Sequence, residues 1–195
     1  MLSETISLYI DLQEGQKADL EAVARASLAF ADAIREIAGF IDPFSDTRIE
    51  LISTTEGSIS LNTKIKFRAA GRTYEITLYA LLLVFASYIT VHVGEFVFEK
   101  ATTVVWEQLF GEQEAALSDE DKEDIVSRAV KAIEAKAGER QIQRLYAELN
   151  EDPAVIGVGV SKEPGVCPSN IVPRNEFAKR SGITRLEEPA EKKAS

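Results

Sequence analysis

Ile76 to Gly94 runs nineteen residues without a charge (ITLYALLLVFASYITVHVG), midway along a chain of 195 residues whose formal net charge is -10. A helix that is apolar on every side has to be covered on every side, by lipid or by protein. The run barely reaches the roughly twenty residues that span a bilayer, and Thr77, Ser87, Tyr88, Thr90 and His92 weaken its second half. Lys64, Lys66, Arg68 and Arg72 precede it and Glu95 and Glu99 follow it, so the positive-inside rule would keep the N-terminal part inside. Two readings follow: a segment that enters a membrane, or a buried helix in a soluble domain or homo-oligomer. In both, the residues at stake are Leu78, Leu81, Leu82, Val84, Phe85 and Ile89, continued by Phe96, Val104 and Trp106 in EFVFEKATTVVWEQLFG.

The flanking sequence is patterned more plainly. Ile6, Leu8, Ile10 and Leu12 alternate with Ser7, Tyr9, Asp11 and Gln13, the period of a strand with one buried face. From Asp19, a candidate N-cap, the spacing changes to Leu20, Val23, Ala24, Leu28, Ala31, Ile34, Ile37, Ala38 and Ile41, an amphipathic helix ended by Gly39 and Pro43. Arg48 to Thr55 and Ile59 to Arg68, joined through Gly57, form a β-hairpin with a cationic outer face. Three strands leave open edges, and PAVIGVGVSK, from Pro153 to Lys162, supplies a fourth despite Gly157 and Gly159. Ser118 and Asp121 form a capping box that opens a helix whose apolar face runs from Ile125 past Gly138 to Leu149.

The expected architecture is α+β. Residues 1–72 make a β-α-β-β domain, a small mostly antiparallel sheet with one covering helix. Residues 73–111 make a hydrophobic helix or helical hairpin, residues 112–162 an amphipathic helix and the late strand, and residues 163–195 an extended, partly disordered arm. That arm holds the one basic cluster, Arg174, Lys179, Arg180 and Arg185, a candidate docking element for an acidic neighbour.

Chemistry is sparsely signalled. His92 is the only histidine, a candidate pH switch if it faces a pore or interface, and no nucleophile elbow accompanies it. Cys167, in EPGVCPSN, is the only cysteine, which rules out an intramolecular disulfide and any multi-thiolate metal site. No phosphate-binding loop occurs, and the acidic balance, with a pI near 4.8, repels nucleic acid. Neither a cofactor, a metal nor a catalytic residue is expected. MLSETISLYIDLQEG lacks a basic n-region and a long apolar h-region, so the expected location is cytoplasmic or at the inner membrane, without secretion.

The layout is similar in outline to compact bacterial effectors that oligomerise and perturb membranes, a likeness that assigns no residue a role. The leading expectation is a non-enzymatic, self-assembling bacterial protein acting at or in the inner membrane through Ile76 to Phe110. The competing one is a soluble homo-oligomeric binding or adaptor protein whose long apolar helix is the subunit interface and which contacts a protein partner.

Overall fold

A computed structural model describes residues 5–51, 58–67, 70–90, 106, 117–161, 163 and 165–182. The elements are β1 (Thr5–Leu12), α1 (Leu20–Ile41), β2 (Arg48–Leu51), β3 (Ile59–Lys66), α2 (Arg72–Thr90), α3 (Asp119–Glu134), α4 (Glu139–Glu151), β4 (Val155–Ser161), β5 (Ile171–Pro173) and α5 (Phe177–Arg180). The fold is α+β. Its sheet is antiparallel throughout, in the order β2-β3-β1-β4-β5.

Alternation in β1 decides the layering. Ile6, Leu8 and Ile10 lie on the face shared with Leu61, Ile65 and Val158 and are fully buried in the core that the helices complete. The late strand takes its expected place, pairing with β1 from Ser7 opposite Ser161 to Asp11 opposite Gly157. Its glycines have a packing reason. A Cβ at Gly157 would stand 2.4 Å from Ile171 Cγ2, and one at Gly159 would stand 2.5 Å from Pro168 Cγ and 2.9 Å from the Asn170 carbonyl oxygen. The chain after β4 thus closes onto the second face of the sheet, where only a bare backbone leaves room.

The long helix α1 begins as expected, with Asp19 Oδ1 accepting the Ala22 N–H at 3.0 Å. Its buried face differs from the sequence reading. Ala22, Ala26, Ala29, Phe30 and Ala33 face inward with Val23, Ile34, Ile37 and Ala38, whereas Leu20, Ala24 and Leu28 face out. Both stripes fit a helical period, and the alanine stripe wins because it lets α1 pack closely against α2 and α4. Phe30 meets Phe85 of α2 edge to face, with centroids 5.2 Å apart.

The capping box is present: Ser118 Oγ accepts the Asp121 N–H at 3.2 Å and Asp121 Oδ2 accepts the Ser118 N–H at 3.1 Å. The helix it opens ends at Glu134, and α4 restarts after Gly138. Lys136, at φ 58°, and Gly138, at φ 79°, take the left-handed backbone that breaks the two apart. A side chain at Gly138 would also strike Ile37, at 2.7 Å.

Candidate interaction surface

The described part of the apolar run, Ile76 to Thr90, lies within α2 and in the core of the chain. Leu78, Leu81, Leu82, Val84, Phe85 and Ile89 of α2 are all buried, as are Tyr79, Ala80 and Leu83. They pack with α1 and α3, and more narrowly with α4 and β4, in one cluster that also takes in Ile6, Leu145, Val172 and Phe177. That single cluster joins residues from all four segments into which the sequence divides. Among the described residues, no helix is long and apolar enough to cross a membrane. Trp106 is buried in the same cluster. Phe96, Val104 and His92 lie outside the described residues.

Tyr88 of α2 is nearly enclosed and, among the described residues, its hydroxyl has no hydrogen-bond partner. Burial pushes the phenol above its ordinary range, and the charges of Glu139 and Glu36 push the same way. Tyr146 is raised by burial as well, against the opposing influence of Arg180, and its hydroxyl donates to the Ile89 carbonyl oxygen at 3.2 Å.

The basic cluster of the expected arm is largely built into the body. Arg174 Nη1 donates to the carbonyl oxygens of Asp152 at 2.5 Å and Val155 at 2.9 Å, and its Nη2 to that of Asn150 at 2.7 Å. It therefore covers the exposed carbonyls at the end of α4. Arg180, 5 % exposed, donates to the Ile89 carbonyl oxygen at 2.7 Å and to Glu176 Oε2 at 2.9 Å, with its guanidinium 5.7 Å from the Tyr146 ring centroid. The Arg174 guanidinium sits at the negative end of α4, where carbonyls lack intrahelical partners, and that of Arg180 lies on the Ile89 carbonyl in the last described turn of α2. Residues 171–180 are accordingly strand, 3-10 turn and helix, and the extended-arm reading gives way there. Lys179 remains exposed, and Arg185 lies outside the described residues.

Two other polar arrangements are structural in their partners. Arg72 Nε donates to Asp121 Oδ1 at 2.7 Å, and its Nη2 reaches Asp121 Oδ2 and Ser118 Oγ. The guanidinium, followed by the Ser118 hydrogen bonds, holds the Asp121 carboxyl down at about 2. On the second face of the sheet, Ser7 Oγ lies 2.7 Å from Ser60 Oγ and donates to Asn62 Oδ1 at 2.5 Å, and the Gly165 N–H donates to Ser60 Oγ at 3.3 Å. The three side chains are fully buried and satisfy one another.

A concavity of about 510 Å³ opens at the start of α1, lined by Lys17, Asp19, Glu21, Arg25, Glu151 and Asp152 among others. Its polar groups are engaged locally: Asp152 Oδ2 accepts the Asp19 N–H at 2.6 Å, and Arg25 donates to Glu148 at 2.6 Å and Glu21 at 3.1 Å. Among the described residues, no group of three His, Cys, Asp or Glu side chains could hold a metal ion.

Among the described residues, large apolar side chains stay exposed on and after α1, and also at Ile156 and Val166. Leu20 is 81 % exposed, Leu28 58 %, Phe40 44 % and Phe44 84 %. Phe44 and Phe40 escaped the sequence reading, although a large aromatic in DPFSD, a turn of otherwise helix-ending residues, is a readable signal. β2 follows directly and, among the described residues, is hydrogen-bonded to β3 alone. Comparison of the chain with protein-family models, curated proteins and solved structures finds no match in any of the three.

Proposed function

We propose that the chain is a non-enzymatic, self-associating binding protein that works from the aqueous phase and meets its partners through the outer side of α1 and the neighbouring sheet edge. The observation that carries this reading is the enclosure of α2 within one chain. A helix whose Leu81, Leu83, Val84 and Phe85 are fully buried against its own neighbours leaves little apolar surface to offer lipid or another subunit. Inserting it would mean dismantling the core. Among the described residues, exposed large apolar side chains on and after α1 are Leu20, Leu28, Phe40 and Phe44, with Ile156 and Val166 exposed elsewhere. Surface of this kind, set among charges, is the material of protein interfaces.

Fractionation tests the reading. Expressed without detergent, the chain should remain in the high-speed supernatant as a folded species, and Leu82→Arg should cost it that folded state. Folded protein retained in a carbonate-washed membrane pellet, and released by mild detergent, would overturn the proposal.

A further inference from the structure

We draw no further inference here: the strongest candidate, the outward face of α1 that carries the exposed Leu20, Ala24 and Leu28, is an apolar surface beside charges already paired within the helix, Glu21 with Arg25 and Asp32 with Arg35, and nothing in the structure shows what covers it.

Discussion

Arg180 donates to the main-chain carbonyl oxygen of Ile89 at 2.7 Å, across 91 positions of sequence, and so places a buried cation at the C-terminal end of the apolar helix α2. Glu176 and the Tyr146 ring lie beside it, and the Tyr146 hydroxyl donates to the same Ile89 oxygen at 3.2 Å. Arg174 serves the end of α4 in the same way. Two arginines from one short stretch thus fasten residues 174–180 to the last described turn of α2 and to the end of α4.

Replacing Arg180 by alanine removes a buried cation and its donor to the Ile89 carbonyl oxygen, and the stability lost should be about 2 kcal/mol. Urea unfolding of the two proteins measures it. A chain ending after residue 170 loses β5 and both caps, and should show broad, weakly cooperative unfolding.

Tyr88→Phe should raise stability. Among the described residues the buried Tyr88 hydroxyl has no partner, and removing it relieves an unpaid desolvation of about 1 kcal/mol while leaving the ring in place. Thermal unfolding of the variant should shift upward by a few degrees.

The strand and helix glycines should respond in opposite directions. Gly159→Ala drives a methyl group toward Pro168 and the Asn170 carbonyl oxygen and should cost about 2 kcal/mol. Gly39→Ala meets open space inside a helix and should gain about 0.5–1 kcal/mol. Denaturant midpoints of the two variants, compared at an unchanged slope, check both signs.

Acid should expose the Arg72–Asp121 contact. Folding lowers the Asp121 carboxyl from its ordinary 3.8 to about 2, so the unfolded chain takes up this proton first as pH falls. The stability contributed is complete above the ordinary value and is lost as pH drops from about 4 through about 2. Asp121→Asn should be less stable than the wild type at neutral pH, and the gap should narrow across that window.

Elements written in local pattern were legible in the sequence. The alternation of Ile6 to Leu12, the Ser118–Asp121 capping box and the late strand from Val155 are each fixed by residues within a few positions of one another. The inward face of α1 was not, because Leu20–Ala24–Leu28 and Ala22–Ala26–Ala33 both satisfy a helical period. Only the close approach of α2 and α4 selects the alanines. The roles of Arg174 and Arg180 were hidden for a related reason: sequence shows the charge, whereas the carbonyls it serves lie 19 to 25 positions away for Arg174 and 91 for Arg180. The nineteen-residue apolar run was correctly singled out, but how much of it one chain can cover depends on packing that no periodicity reveals. The exposure of Phe44 was readable in DPFSD and went unread.

Native-state hydrogen exchange across residues 77–89, in buffer without detergent or lipid, tests the placement of α2 most directly. If α2 is the spine of the monomer, those amides exchange only through global unfolding, with the same free energy and denaturant slope as β1 and the inward face of α1. Rapid exchange of 77–89 in buffer, with protection gained only on adding lipid vesicles, would contradict it.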